Sequence, residues 1–138
     1  MIRASRYHDI SVGHRVWKHE SKCNHLHGHN YRIHFHCEAN SLDDIGRVID
    51  FAIIKEKLCM WIEDNWDHRF LVWQDDPLAN ILKDLDSKVV IVPFNPTAEH
   101  MAIYLVEHVG IKQLVGTGVT LVEVTIEETA KCHATYAI

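Results

Sequence analysis

Alternating apolar and polar positions predict that the first part of the chain forms β-strands. From residue 30 to residue 39 polar and apolar side chains alternate, which is the period-2 pattern of a strand with one buried face. The apolar positions are Tyr31, Ile33, Phe35, Cys37 and Ala39. We therefore predict a strand over residues 29–39, preceded by a first strand over 4–12 and a loop over 15–29. Residues 40–49 are predicted to form a turn and a short strand.

Two later segments show the three-to-four-residue spacing of amphipathic helices. The first is predicted over residues 50–65, with Asp50 as its N-cap. Its apolar stripe is Phe51, Ile54, Leu58, Trp61 and Ile62. The second is predicted over residues 97–109, with Asn95 or Thr97 as the cap and Pro96 tolerated at the start. Its buried stripe is Met101, Tyr104, Leu105, His108 and Val109.

The remaining pattern predicts a short helix over residues 77–85 and strands over 89–92, 118–128 and 131–137. The resulting order is two strands, a helix, short elements, a second helix and two strands. This order indicates an α+β fold in which helices cover one face of an antiparallel sheet. A length of 138 residues without repeats or Gly/Ser linkers predicts a single domain over residues 1–138.

Composition excludes several classes of function. The formal net charge of -5 argues against a nucleic-acid partner, because phosphate contacts require a basic surface. No apolar stretch approaches the roughly 20 residues that a membrane helix needs, so no membrane partner is expected. The first residues also lack the apolar run of a signal peptide. We therefore expect a cytoplasmic protein whose four cysteines are reduced.

Twelve histidines raise the expectation of a metal site, and the His27-Gly28-His29 motif locates it. Residues i and i+2 of a strand point to the same side, so both imidazoles can reach one ion on the face of Tyr31. Gly28 lets the backbone pass close to another group. A catalytic zinc takes three protein ligands and keeps one open position, and we predict His14 as the third ligand. The competitors are His8, His19 and His25. Surface imidazoles on an edge strand are the alternative.

Cys23 lies four residues before His27 in the predicted loop. Three interpretations follow from this spacing. The thiol is a fourth ligand in a closed structural site, a base or nucleophile beside an open metal site, or chemically inert. The other three cysteines are predicted to be small core residues, and they are Cys37, Cys59 and Cys132.

Two further motifs carry acid–base or recognition chemistry. Asp67 and His68 are adjacent, and a carboxylate that orients an imidazole can prepare it to move protons, although a solvated loop is the common alternative. Glu128 continues the apolar set of Val122, Val124 and Ile126, so its carboxylate is predicted to point inward. An inward carboxylate requires a partner, and an amino-pyrimidine ring with two adjacent N–H donors would suit it. A partner arginine, or exposure at the end of the strand, is the alternative.

Taken together, these motifs resemble a known family. The run Cys23-Asn24-His25-Leu26-His27-Gly28-His29-Asn30 is similar to the CxxLHGH signature of 6-carboxy-tetrahydropterin synthases, and a longer-spaced version marks 6-pyruvoyl-tetrahydropterin synthases. The family's other landmarks follow in the same order. They are Val48-Ile49-Asp50-Phe51, Asp67-His68, Asn95-Pro96-Thr97-Ala98-Glu99 and Glu128-Thr129. The resemblance runs from His14 to Thr129.

The resemblance implies the tunnelling fold (T-fold), with a four-stranded antiparallel sheet and two long helices on one face, assembled into a homotrimer or homohexamer. It implies Zn²⁺ on His14, His27 and His29. Cys23 would be the catalytic base, in a relay completed by Asp67 and His68 from a neighbouring subunit. Glu128 would bind the pterin, with Thr97 helping to hold the ring. The implied substrate is 7,8-dihydroneopterin triphosphate.

The short spacing between Cys23 and the HGH motif resembles the carboxy branch, which releases triphosphate and acetaldehyde and feeds 7-deazapurine (queuosine) synthesis. A pyruvoyl-forming enzyme, a paralogue acting on another pterin and a non-catalytic zinc or pterin-binding module are the alternatives. Two features depart from the family pattern, namely the run Arg69-Phe70-Leu71-Val72 and a longer segment over residues 73–93. Candidate cations for the triphosphate are Arg15, Lys18, Lys22, Arg47 and Arg69.

Overall fold

A six-stranded sheet organises the computed structural model, which describes residues 1–138. The strands are β1 (Arg3–His14), β2 (His27–Ala39), β3 (Arg69–Trp73), β4 (Val89–Val92), β5 (Val119–Glu127) and β6 (His133–Ala137). Their order in the sheet is β4-β3-β1-β2-β5-β6. The α+β class predicted from the sequence is therefore confirmed.

Two long helices each contain a π-helical stretch between α-helical segments. The first long helix comprises α1 (Phe51–Ile54), a π-helical stretch (Lys55–Cys59) and α2 (Met60–Asn65). After the short helix α3 (Ala79–Leu85), the second long helix comprises α4 (Ala98–Tyr104), a π-helical stretch (Leu105–Val109) and α5 (Gly110–Gln113). Asp50 caps the first long helix by accepting the Ala52 N–H, as predicted. None of the helices combines the length and apolar character needed to cross a bilayer.

The sheet contains six strands, two more than the resemblance implied, and the strand predicted over residues 89–92 is present as β4. The expected antiparallel part is present, because β1 pairs with β2, β2 with β5, and β5 with β6 in that orientation. At the edge beyond β1, the short strands β3 and β4 add to the sheet in parallel. Strand β3 was not predicted because five residues with a continuous apolar centre show no alternation.

The short strand predicted within residues 40–49 is absent. Asp43 closes a turn there instead, since its backbone N–H donates to the Arg47 carbonyl and its side chain accepts the Arg47 N–H. A short aspartate side chain that bonds to nearby backbone groups favours a turn over a strand.

Both long helices pack on the same face of the sheet, as predicted. One buried cluster joins Ile54, Leu58 and Ile62 of the first helix to Met101, Leu105 and Val109 of the second. The sheet contributes the predicted apolar face of β2 to this cluster, namely Tyr31, Ile33, Phe35 and Cys37. Phe51 and His108, which were assigned to the buried stripes, are exposed.

A bulge alters the predicted inward face of β5. The register between β2 and β5 shifts at His36 and Cys37, so Leu121 is buried where Val122 was predicted. A bulge of this kind places an extra residue in one strand and reverses the alternation on one side of it. Val124 and Ile126 lie after the bulge and are fully buried as predicted. The alternation from these two residues to Glu128 is therefore unchanged, and it places Glu128 on the inward side.

Candidate functional site

Three histidines converge where β1 ends and β2 begins. The register places His14 directly opposite His27, and His29 follows two residues further along β2 on the same side. One ring nitrogen from each residue lies within 4.8 Å of the other two. A Cβ atom on Gly28 would lie 2.9 Å from the Val12 carbonyl oxygen, so the predicted close approach of backbone at this glycine is confirmed.

The hydrogen bonds of His14 and His27 show which nitrogen of each ring is free to bind a metal ion. His14 Nδ1 lies 2.7 Å from the Pro96 carbonyl oxygen, and His27 Nδ1 lies 2.8 Å from the His25 carbonyl oxygen. A carbonyl can only accept, so both Nδ1 atoms donate and both Nε2 atoms keep a lone pair. Backbone carbonyls orient metal-binding histidines in this way in many proteins.

The arrangement fits a bound divalent metal ion. His14 Nε2 and His27 Nε2 face each other at 3.1 Å, and two lone pairs at this distance repel unless a cation lies against them. His29 Nε2 is buried and has no hydrogen-bond partner. A buried unpartnered nitrogen carries a free-energy cost that coordination to a metal would remove. A three-imidazole donor set is also typical of zinc sites that keep one position open.

Burial favours the neutral imidazoles that a metal requires. Burial lowers the pKa of His14, His27 lowers it further, and the bond to Pro96 acts in the opposite direction. Burial is also the main cause of the lowered pKa of His29. Both rings are therefore disposed to stay unprotonated near neutral pH, the form in which imidazole binds metals.

Glu128 points toward this cluster, in the direction that the alternation of β5 predicted. Its Oε1 atom lies 3.7 Å from His14 Nε2 and 3.8 Å from His29 Nε2. The Tyr31 hydroxyl lies 3.5 Å from the same oxygen, and burial raises the pKa of this phenol. The Glu128 side chain remains partly exposed, so its carboxylate borders the three histidines and can also contact a bound ligand.

Cys23 lies in a 3-10 turn (Lys22–Asn24) and is partly buried. The group of converging ligand atoms consists of His14, His27 and His29 and does not include the thiol. The arrangement therefore favours an open three-histidine site over a closed site with Cys23 as the fourth ligand.

The other cysteines and histidines lie elsewhere. Cys37 and Cys59 are fully buried, as predicted, whereas Cys132 is exposed in the turn between β5 and β6, so its assignment to the core was wrong. His8 pairs with Glu63 at 2.7 Å, and His19 accepts the Ser21 N–H. The three competitors that were considered as the third ligand do not join the metal group.

Asp67 and His68 form the hydrogen bond that their adjacency made possible. His68 Nδ1 lies 2.8 Å from Asp67 Oδ2, and Asp67 Oδ1 accepts the Ser11 N–H at 2.9 Å. Burial opposes ionisation of Asp67, but the bonds from Ser11 and His68 prevail and lower its pKa. The His68 side chain is 80% exposed, and no hydrogen bond joins it to Cys23 within the chain. A single chain therefore orients the imidazole without placing it against the thiol.

The Asn95-Pro96-Thr97 motif does more than begin a helix. Thr97 is the N-cap, because its hydroxyl accepts the His100 N–H. Pro96 supplies the carbonyl that orients His14. The Asn95 side chain accepts the Trp17 N–H at 3.2 Å and donates to the Trp17 carbonyl at 2.9 Å. The sequence predicted a helix start here, and the resemblance implied that Thr97 helps to hold the ring, but the bonds of Pro96 to His14 and of Asn95 to Trp17 were not predicted.

Most of the candidate cations for an anionic substrate already have partners. Arg15 pairs with Asp76, Arg47 pairs with Asp43 and Asp50, and Arg69 donates to the Asp64 carbonyl. Lys18 and Lys22 make no salt bridge, and the Lys18 Nζ atom lies 4.8 Å from the centre of the Trp17 ring. Both lysines precede Cys23 in the same loop, so the free positive charge is on the same loop as the thiol.

Comparison with known proteins agrees with this geometry. The chain is 35% identical to the 6-carboxy-5,6,7,8-tetrahydropterin synthase of Rickettsia felis, covering 96% of this chain and 97% of the relative. It is 32% identical to the protein of the same name from Aquifex aeolicus, covering 92% of each.

Solved structures share the fold. An uncharacterized protein from Wolinella succinogenes superposes with a TM-score of 0.85 at 26% identity, covering 99% of this chain and 97% of that chain. The 6-pyruvoyl tetrahydropterin synthase of Caenorhabditis elegans superposes with a TM-score of 0.71 at 26% identity, covering 99% and 95%. The predicted tunnelling fold is thereby confirmed, with six strands in place of four. A family model described as 6-pyruvoyl tetrahydropterin synthase matches residues 3–138, and this chain belongs to that family.

Proposed function

We propose that this protein is a zinc-dependent 6-carboxy-5,6,7,8-tetrahydropterin synthase. It would convert 7,8-dihydroneopterin triphosphate to 6-carboxytetrahydropterin with loss of triphosphate and acetaldehyde, as a cytoplasmic step of 7-deazapurine (queuosine) synthesis. The observation that carries the proposal is the convergence of three histidine nitrogens beside the carboxylate of Glu128. Relatives named 6-carboxy-5,6,7,8-tetrahydropterin synthase at 35% identity favour the carboxy branch over the pyruvoyl branch.

Zn²⁺ would be held by His14, His27 and His29 through their Nε2 atoms. When bound there, the ion supplies Lewis acidity that lowers the pKa of the hydroxyl groups on the substrate side chain. The Pro96 carbonyl keeps His14 in the tautomer that presents Nε2. The His25 carbonyl does the same for His27.

Glu128 would recognise the pterin. Its carboxylate is available to the two adjacent N–H donors of an amino-pyrimidine edge, because none of its three neighbours, which are His14, His29 and Tyr31, is an Arg or Lys. Thr97 would help to hold the ring from the start of the second long helix. Its hydroxyl already accepts the His100 N–H and keeps its own proton to donate.

Cys23 would remove a proton from the substrate side chain as the base, and His68 would return one as the acid. Asp67 holds His68 by its Nδ1 atom and leaves Nε2 exposed for that transfer. Because His68 does not meet Cys23 within one chain, we place the pair against the thiol of a neighbouring subunit in a homotrimer or homohexamer. Lys18 and Lys22 would meet the triphosphate.

The deciding experiment is product analysis. The purified protein is loaded with zinc and given 7,8-dihydroneopterin triphosphate, the pterin product is identified by mass, and acetaldehyde is assayed enzymatically. We expect acetaldehyde and 6-carboxytetrahydropterin. Cys23→Ala should lose about 100-fold or more of the rate, the usual scale of a general base, and keep its zinc. The matched control is Cys132→Ala, which removes an exposed thiol outside the site and should stay active.

Other outcomes discriminate among the alternatives. A pyruvoyl product would assign the protein to the sister branch. Loss of zinc in Cys23→Ala, with no turnover in the wild type, would indicate a non-catalytic module in which the thiol is a ligand. The shared site can be tested by mixing the inactive Cys23→Ala and His68→Ala variants under conditions that exchange subunits. Recovery of activity requires that one subunit supplies the thiol and another supplies the imidazole.

A further inference from the structure

Asp76, in the segment over residues 73–93, forms a buried ion pair with Arg15 of the loop after β1. Asp76 is fully buried at its side chain, and its Oδ2 atom lies 3.0 Å from Arg15 Nε. The Arg15 side chain is itself 15% exposed. Both atoms are buried and neither makes a hydrogen bond, so the ion pair is the compensation that each of them has. The second Asp76 oxygen accepts the Leu78 N–H and keeps the carboxylate in place.

Arg15 begins the segment that leads from the metal ligand His14 to Cys23. Three consecutive residues of this segment are held from different directions. Arg15 pairs with Asp76, the Val16 N–H donates to the Cys23 carbonyl at 2.8 Å, and Trp17 exchanges two backbone bonds with the Asn95 side chain. Arg15, which contacts Asp76, is therefore the immediate sequence neighbour of Val16, whose N–H donates to the Cys23 carbonyl.

We infer that Asp76 is a positioning residue that fixes the thiol of Cys23 relative to His14, by holding Arg15 at the base of the loop. The Trp17 and Trp73 rings, 6.2 Å apart, add an apolar contact between the same two segments. Residues 73–93 thus support the loop that carries Cys23. The expected loss of turnover rests on the proposed function, whereas the expected change in the reactivity of the Cys23 thiol does not.

The test measures the thiol directly. In metal-free protein with the Cys132→Ser background, Cys23 is the one cysteine that is not fully buried, so its rate of reaction with a disulfide reagent such as DTNB can be followed alone. Asp76→Asn should release the loop and accelerate the reaction by about fivefold or more. The double variant Arg15→Gln/Asp76→Asn removes both charges and leaves no unpaired ion. If Asp76→Asn fails to fold because Arg15 is left unpaired, the double variant should still fold. It should show the same acceleration of the Cys23 reaction.

Asp43→Asn is the matched control. It breaks an exposed Arg–Asp pair of the same kind, 2.8 Å between Arg47 Nε and Asp43 Oδ2, in the turn after β2. Its Cys23 rate should equal that of the parent protein. With substrate, Arg15→Gln/Asp76→Asn should lower kcat. The Kd for a pterin that lacks the triphosphate should stay unchanged, because Glu128 is not part of the released loop that carries Lys18 and Lys22.

A natively folded double variant whose Cys23 reacts at the parent rate would overturn the inference, and so would an equal acceleration in Asp43→Asn. A wild-type protein without turnover, combined with the expected acceleration in the Asp76 variants, would refute the proposed function and leave the positioning role intact.

Discussion

His14 donates from Nδ1 to the Pro96 carbonyl oxygen at 2.7 Å, across 82 residues of sequence. This bond connects the end of β1 to the start of the second long helix. It also determines which nitrogen of His14 faces His27 and His29. A helix start and a proposed metal ligand are thereby coupled, because a shift of the Pro96 backbone would rotate the ring.

Removal of one ligand should abolish tight zinc binding. In His29→Ala the site loses a buried nitrogen that has no other partner, and the two remaining imidazoles cannot complete a tetrahedral site. We expect zinc content after dialysis, measured by atomic emission, to fall from a single ion per chain to background. His108→Ala, an exposed histidine on the second long helix, should keep its zinc. Retention of zinc by His29→Ala would contradict the assigned ligand set.

Zinc should also stabilise the fold measurably. An ion that binds only the native state adds about 2.7 kcal/mol when its concentration is 100 times Kd. We therefore expect Tm, followed by calorimetry, to rise with zinc concentration in the wild type. The rise should be absent in His29→Ala and present in His108→Ala. A Tm that does not respond to zinc in the wild type would argue against a native metal site.

Neutralisation of Glu128 should weaken pterin binding. Glu128→Gln keeps the shape of the side chain but loses a charge-assisted pair of hydrogen bonds, an effect of about 1.5–3 kcal/mol. We expect Kd for a non-hydrolysable pterin, measured by calorimetry, to rise by about 10- to 100-fold. Glu127→Gln is the neighbouring control, because Glu127 lies in β5 and pairs with His34 on the other side of the strand. Equal losses in both variants would show that the effect is not specific to the inward carboxylate.

The four cysteines should divide into two pairs by reactivity. Burial raises the pKa of Cys37 to about 12 and that of Cys59 to about 11, so both stay as unreactive thiols in the native protein. Cys132 is exposed and Cys23 is partly exposed. Titration with DTNB near pH 8 should modify two thiols in native protein and all four after denaturation. Rapid modification of a third thiol in the native state would show that the core opens on that timescale.

Asp67 should make the fold sensitive to acid. Its pKa is lowered in the folded state, because the bonds from Ser11 and His68 outweigh burial. A lowered pKa contributes stability that is present above the unfolded-state value near 4 and is lost as the pH falls through the folded-state value. Asp67→Asn should therefore cost about 1–2 kcal/mol at pH 7 and almost nothing at low pH, measured by urea unfolding. Asp84→Asn, at an exposed position of α3, should not change this pH dependence.

The sequence alone determined the features that depend on local backbone geometry. The period-2 alternation of β2 placed His27, His29 and Tyr31 on one face, because side chains of a strand alternate strictly. The same rule gave the direction of Glu128 despite the bulge, since two of the three residues from which the phase was read, Val124 and Ile126, lie after the bulge and are buried, whereas Val122 is not. Helix capping by Thr97 and Asp50 was predictable for a similar reason, because a cap satisfies N–H groups only two or three residues away.

Only the tertiary structure decided the contacts between distant segments. The bond from His14 to Pro96, the pair of Arg15 and Asp76, and the addition of β3 and β4 in parallel join residues that no local pattern relates. Such contacts depend on how the two long helices pack on the sheet. That packing is determined by the burial of many side chains together and not by any local sequence pattern. The directions of His27, His29 and Glu128 are therefore readable from short-range periodicity, whereas the convergence of His14 with them requires the packed fold.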